Sequence, residues 1–262
     1  MPLRDFVKTP LGTFAVALVL CLVCSAVVST AAVSLKGVQD ANKALDKKKN
    51  VLLAAGLCEK TSPASEIDAT FDDKIVRKFL DLDSGDVFAA DAEDLPIDAE
   101  TYDAKKAAKD PDTQKPVEPA GALPGIAQRE PYAEFYEIVD GGETQGYVLP
   151  IYGKGLWSTL YGFIALEADK ETVKGITYYE HKETPGLGGE VDNPNWQALW
   201  PGKKIYGKGG EVDLGVVKGK ASADDAYGID GLSGATITSK GVDDMVKYWL
   251  GPTAFGKYLA QN

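Results

Sequence analysis

Phe135-Tyr-Glu-Ile-Val139, Gly146-Tyr-Val-Leu-Pro-Ile-Tyr152, Leu160-Tyr-Gly-Phe-Ile-Ala-Leu166 and Val173-Lys-Gly-Ile-Thr-Tyr-Tyr179 follow one another between residues 135 and 179. All four are rich in β-branched and aromatic residues and are punctuated by glycine, which predicts strands. Lys204-Ile-Tyr206 and Leu214-Gly-Val-Val217 are shorter strand candidates, and residues 194–199 suit a helical turn. Residues 240–250 predict a helix, because Val242, Met245, Val246 and Trp249 fall at i, i+3, i+4 and i+7 on one apolar stripe, and Gly251-Pro252 stops it. Strands and helices mix without regular strand–helix alternation, so the fold class is α+β, not doubly wound.

Working outward, the N-terminal end is of another kind. Residues 9–35 are 27 consecutive uncharged residues between Lys8 and Lys36. As a helix they span about 40 Å, more than the roughly 30 Å hydrocarbon core of a bilayer. A cleaved signal peptide has an apolar region of only about 7–15 residues before a small-residue cleavage site. This longer run, followed by Lys36 and a charged helical stretch, reads as an uncleaved transmembrane anchor. Cys21 and Cys24 lie inside it, and neither follows the small residue that a lipoprotein cleavage site wants. The flanking charges are Arg4 and Lys8 before it and Lys36, Lys43, Lys47, Lys48 and Lys49 after it. A naive positive-inside count keeps the C-terminal part in the cytoplasm, but long domains translocate largely regardless of charge, so charge leaves the side open.

Between the anchor and the strands, residues 43–57 suit a juxtamembrane helix ending near Gly56. Residues 72–82 suit an amphipathic helix through Ile75, Phe79 and Leu82. Residues 62–119 hold 16 acidic and 7 basic residues, most of the acidic excess in a chain with 28 Lys+Arg, 39 Asp+Glu and a net charge of −11. Residues 104–119 have the composition of a solvated loop. The expected organisation is an N-terminal segment and anchor over 1–36, a juxtamembrane helix with an acidic, partly loop-like region over 37–130, and a third domain over 131–262.

Composition excludes several functions. The acidic balance argues against sequence-independent nucleic-acid binding. Three cysteines make no disulfide scaffold, and Cys58, alone outside the anchor, has no partner in its own domain. The single histidine, His181, leaves no His-rich metal site. Gly153-Lys-Gly155 and Gly186-Leu-Gly188 both lack the last glycine of GxGxxG, having Ser158 and Val191 there, and no GxxxxGK[ST] occurs. Two segments remain. His181-Lys-Glu-Thr-Pro-Gly-Leu-Gly-Gly189 is a tight turn leaving a strand, where a planar ligand could approach backbone N–H groups. Asp230-Gly-Leu-Ser-Gly-Ala-Thr-Ile-Thr-Ser-Lys240 clusters four hydroxyl residues before a helix, where Thr238 or Ser239 suits an N-cap.

At these residues the chain resembles a known family. Ser233-Gly-Ala-Thr-Ile-Thr238 is similar to the S/T-G-A-S/T-x-T motif of covalent FMN-binding domains, and Gly155-Leu-Trp157 and Glu183-Thr-Pro-Gly-Leu-Gly188 fit the same pattern. The anchor, Gln39-Asp-Ala-Asn-Lys-Ala-Leu-Asp-Lys47 and Asn50-Val-Leu-Leu-Ala-Ala-Gly-Leu57 resemble the C subunits of Na+-translocating NADH:quinone reductases. Nothing carries over across residues 87–128. The resemblance implies a transmembrane helix followed by a mixed α/β FMN-binding domain with one covalent FMN, esterified to Thr238 by a separate flavin transferase from FAD. It implies contacts of Trp157, Thr184 and Leu187 with the ring, Ser233 and Thr236 at the linkage, access through Gly234 and Ala235, and a contribution from Glu183. It implies an electron relay among other subunits of a respiratory complex that carries electrons from NADH to ubiquinone and exports Na+. It also implies insertion in a bacterial inner membrane through residues 9–35, with the C-terminal domain periplasmic, against the lysine count. Alternatives are the homologous G subunit of an Rnf-type ferredoxin:NAD+ oxidoreductase and a membrane-tethered docking domain without flavin.

Threonine is a poor nucleophile at neutral pH, and nothing beside Thr238 in the sequence looks like a base, so an external enzyme would have to activate it. A phosphodiester at a helix N-terminus would be favoured by N–H groups and the dipole, although Asp243 and Asp244 oppose it. No residue looks like an NADH or quinone site, in keeping with a relay without a complete active site.

Overall fold

The structure is a computed structural model that describes Val7 and residues 9–261; Arg4 and Lys8 of the charge count lie outside the described residues. The chain divides into two compact units, residues 1–46 and 47–262. Helix α1 runs without interruption over Pro10–Ala54. The expected separate helix over 43–57 is therefore its continuation, because no proline interrupts good helix formers there. In the first unit its apolar side chains, among them Leu18, Leu20 and Leu22, are exposed, and α1 is long and apolar enough to cross a membrane. It ends where expected. Gly56 takes φ +68°, its N–H donates to Leu53 O at 3.1 Å, and the Leu57 N–H donates to Leu52 O at 2.8 Å. This is a Schellman cap, which needs the left-handed residue glycine supplies.

The second unit is built on a six-stranded antiparallel sheet. Its strands are β1 (Ile75–Asp81), β2 (Val87–Ala89), β3 (Tyr132–Asp140), β4 (Glu143–Lys154), β5 (Thr159–Glu167) and β6 (Val173–Glu180), in the order β2-β1-β3-β4-β5-β6. The four strands read from sequence are β3 to β6. Gly141 and Gly142, with φ of +58° and +86°, make the β3–β4 hairpin turn. The α+β expectation holds.

Residues 72–82 are a correction. Helix α2 covers Ala64–Lys74, and the chain then enters β1, which pairs along its whole length with β3. The spacing of Ile75, Phe79 and Leu82 fits a helix, but Ile75-Val76 is β-branched and β3 offers an unpaired edge. Residues 104–119 are not simply a loop either. They contain a helical turn, Ala104–Ala107, and Lys115–Pro116, which pairs with Gln128–Arg129. Lys105 sits 3.7 Å from the Tyr161 ring centre and bonds Glu180 at 2.6 Å, tying this segment to the sheet. The compact units divide at 46/47, and β1 and β2, from the region expected to be juxtamembrane and acidic, belong to the same sheet as β3. Of the shorter strand candidates, residues 204–206 make only isolated bridges, and Gly215–Val216 pairs in parallel with Gly228–Ile229. The turn near 194–199 is the helical turn Pro194–Gln197.

Helix α3 covers Thr236–Trp249, four residues longer at its start than predicted. Val242, Met245, Val246 and Trp249 are fully buried, as the stripe requires. The helix lies unusually close to β4. A methyl on Gly153 would stand 2.6 Å from Met245 Cβ, and one on Gly241 would overlap the Lys154 carbonyl oxygen. The Trp249 indole N–H donates to Tyr152 O at 2.8 Å. At the other end, Gly175 admits the last turn of α1 against β6, and the Thr177 hydroxyl donates to Asn50 O at 3.0 Å.

Glu130, just before β3, is buried and accepts from the Tyr152 hydroxyl at 2.6 Å. Burial pushes its carboxyl up to about 7, against the opposing pull of Tyr152 and Arg129. A carboxyl raised in the folded state costs stability as it ionises. Stability should therefore fall as pH rises from about 4.5 to about 7, by up to about 3 kcal/mol from this group. Glu130→Gln should flatten that window and be the more stable form at pH 8, as urea unfolding of the detergent-solubilised chain at pH 5 and pH 8 would show.

Candidate functional site

Three segments meet at the start of α3, and Glu183 joins them. Its carboxylate lies beyond the end of β6. Oε1 accepts the backbone N–H groups of Trp157 at 2.8 Å and Ser158 at 3.1 Å. Oε2 accepts the N–H of Leu156 at 3.1 Å and the Thr238 hydroxyl at 2.7 Å. The residue is 5% exposed and Thr238 is 1% exposed. Burial raises the Glu183 carboxyl, but these four donors outweigh it and hold the group below the ordinary carboxylate range.

Each part of this arrangement has a local cause. The β4–β5 turn closes through Gly155 N–H to Ser158 O at 2.8 Å, which aims three successive N–H groups inward. A methyl on Gly155 would stand 2.7 Å from Glu183 Oε1. The turn after Glu183 is held by Leu187 and Gly189 N–H groups on Thr184 O, with Gly186 at φ +77°. Gly188 lies over the pair, since a methyl there would come within 2.6 Å of both Thr238 Oγ1 and Glu183 Oε2. Behind the turn, His181 Nδ1 accepts the Glu183 N–H at 3.2 Å, and its Nε2 bonds Asp192 at 2.8 Å. That bond raises the imidazole above its ordinary value, against the effect of burial.

The hydroxyl cluster does not cap the helix. Ala235 occupies the N-cap position, no side chain bonds that end, and Thr238 lies inside the first turn. Ser239 Oγ instead accepts the Leu232 N–H at 2.9 Å. Ser233, Gly234 and Thr236 are exposed and Ala235 is buried. Gly234 has φ +72°, and a methyl there would stand 3.0 Å from Leu187 Cδ2, so Leu187 borders the motif. Thr184 is exposed, and Trp157 and Leu187 are 70% and 45% exposed.

The structure thus brings Trp157, Glu183, Leu187, Gly234 and Thr238 into one neighbourhood. Sequence reasoning missed two further apolar side chains, Leu156 and Ile237, that stand exposed beside them. It also missed a cleft of about 390 Å³ lined by Leu123, Pro124, Lys154, Thr236, Ile237 and Lys240. The available signal was the position of Leu156 and Ile237 next to motif residues. The expectation that Thr238 has no base beside it is corrected by Glu183, which the fold delivers from 55 residues away.

The arrangement suits a flavin nucleotide. An uncapped helix start favours a phosphate. Gly234 is exposed and allows close backbone approach, and exposed Leu156, Trp157, Leu187 and Ile237 offer apolar surface to a planar ring. Among the described residues no group of three or more His, Cys, Asp or Glu is placed to hold a metal ion.

The class these features define is that of the FMN-binding domains, and the FMN-binding domain family matches residues 155–251. The C subunit of the Na(+)-translocating NADH-quinone reductase of Haemophilus ducreyi is 49% identical over 95% of this chain and 93% of its own length. That of Pseudomonas aeruginosa is 46% identical over 95% and 94%. The crystal structure of Shewanella oneidensis NqrC superposes with a TM-score of 0.74 at 33% identity, covering 84% of this chain and 98% of that one. The chain belongs to the family of C subunits of Na+-translocating NADH-quinone reductases.

Proposed function

We propose that this chain carries FMN covalently on Thr238 and relays electrons within a Na+-pumping NADH:quinone oxidoreductase. The observation that carries the reading is the geometry around Thr238. A single hydroxyl is aimed at a carboxylate, beneath the turn that carries Gly188 and beside four exposed apolar side chains. When bound, the flavin supplies electron transfer, and the chain's own residues hold and tune it. Covalent attachment keeps the carrier from losing its cofactor when its redox state changes. Leu156, Trp157, Leu187 and Ile237 limit water at the ring, and backbone N–H groups at the start of α3 offset the phosphodiester charge. Ser233 and Thr236 flank the linkage, and Thr184 lies at the turn that borders it.

The relatives' names, the long insertion before Pro131 and the segment at residues 50–57 favour the quinone reductase over an Rnf-type complex, which would share the flavin motif. The FMN-binding domain favours a carrier over a docking module without flavin. In this reading residues 9–35 anchor the chain in the inner membrane, the other subunits of the complex and a flavin transferase are its partners, and the C-terminal domain is periplasmic. Attachment and topology are tested together on intact spheroplasts of the host. Added protease should remove an in-gel flavin-fluorescent C-terminal fragment and leave a short anchored peptide. Protection of that domain in spheroplasts, with digestion only in inverted vesicles, would place it in the cytoplasm.

A further inference from the structure

We propose that Glu183 is the general base for flavin attachment, so that this chain brings its own proton acceptor to the modification of Thr238. The proposal rests on the reading that Thr238 is the attachment residue.

The geometry is that of an activated nucleophile: hydroxyl and carboxylate are 2.7 Å apart, both buried, and the carboxylate is fixed by a further set of groups. The three backbone donors from residues 156–158 approach from the β4–β5 turn. Gly188, by contrast, belongs to the 184–189 turn that covers the pair. An incoming phosphate can reach Thr238 only if that cover shifts, and such a shift leaves the β4–β5 anchorage of Glu183 in place. No other carboxylate bonds the Thr238 hydroxyl among the described residues.

The step balances with one co-reactant, a flavin dinucleotide whose pyrophosphate joins the flavin nucleotide to a second nucleotide. Thr238 Oγ1 forms a bond to the flavin-side phosphorus. The pyrophosphate P–O bond breaks, and the second nucleotide leaves as its monophosphate. The Oγ1 proton passes to Glu183 Oε2. Four donors make Glu183 a weak base before reaction. The proton therefore moves late, as in protein kinases, where an aspartate accepts the substrate hydroxyl proton. The new phosphodiester loses the Thr238 donor and adds a negative charge beside the carboxylate. Both changes raise the affinity of Glu183 for the proton at the moment Oγ1 gives it up.

The test uses the full-length, detergent-solubilised chain made in a host without flavin transferase. It is then incubated with purified transferase, FAD and Mg2+, and followed by intact mass and peptide mapping. The parent should load one flavin nucleotide at Thr238. Glu183→Gln should load at the same residue with an initial rate lower by roughly 10²–10⁴-fold at pH 7. The parent-to-variant ratio should shrink as pH rises to 9, because hydroxide then replaces the missing base. A purely structural role would leave that ratio independent of pH. Glu183→Asp, which keeps a carboxylate, should retain a parent-like pH profile even if its rate or melting temperature drops, which covers the case in which the Gln variant misfolds. Loading of Glu183→Gln at the parental rate, a pH-independent ratio, or a steep pH dependence in Glu183→Asp would overturn the role of Glu183 while leaving Thr238 as the attachment residue. Parental loading at another residue would overturn both.

Discussion

Thr238→Val should give a folded chain with no covalent flavin. The substitution exchanges a hydroxyl for a methyl of similar size at a site that is 1% exposed, so packing around α3 is kept. What is lost is a hydrogen bond to an ionised carboxylate, not a helix cap. Such a bond contributes about 1.5–3 kcal/mol, more than the 0.5–2 kcal/mol of a typical cap. Compared with the parent made without flavin transferase, the variant should melt lower but cooperatively. Losing one donor should also move the Glu183 carboxyl back towards its ordinary value, since that hydrogen bond helps hold it down. A carboxyl depressed in the folded state contributes stability above its unfolded value of about 4.5, lost as pH falls through the folded value. The parent made without flavin transferase, whose Thr238 hydroxyl is free, should therefore lose more stability than the variant on acidification below about 4.5. Calorimetry at pH 7 and pH 4, with flavin counted by absorbance after acid precipitation, checks both halves.

Gly241→Ala should damage the fold itself. The glycine lies in the first half of α3, where alanine would ordinarily be favoured by about 1 kcal/mol. Here a methyl would overlap the backbone carbonyl of Lys154, which cannot move without displacing β4. Overpacking against side chains typically costs about 1–3 kcal/mol, and backbone places this site at or above the upper end. The net effect should be a destabilisation of about 3 kcal/mol, opposite in sign to helix propensity. Because α3 carries Thr238, the same displacement should pull its hydroxyl from Glu183 and slow flavin attachment. Chemical denaturation of the solubilised chain would show it. A variant as stable as the parent would mean that α3 and β4 are less closely packed than described.

Much of this was legible in the residues. The runs that became β3 to β6 combine β-branched and aromatic residues with glycine punctuation, and the stripe from Val242 to Trp249 has a single helical period. Gly56 ended α1 where its left-handed conformation was needed. Residues 72–82 misled because spacings of four and three between Ile75, Phe79 and Leu82 suit a helix, whereas the competing choice depended on a distant partner, β3. The start of α3 was hidden because Thr236, Thr238 and Ser239 have side chains that compete with backbone for hydrogen bonds. The acidic segment looked detached because its charges are local, while its ties to the sheet, such as Lys105 on Tyr161, join remote positions. The same limit hid the Glu183–Thr238 contact, which no local pattern encodes.

Peptide mapping of the native protein tests the central claim most directly. The chain is extracted from membranes of a host that makes the whole complex, denatured in acid and digested with trypsin. Cleavage after Lys220 and Lys240 releases one peptide that contains Ser233, Thr236 and Thr238. That peptide should carry a single FMN through a phosphoester, and its fragment ions should place the group on Thr238. A peptide free of flavin, or fragment ions that place it on Thr236 or Ser233, would contradict the account.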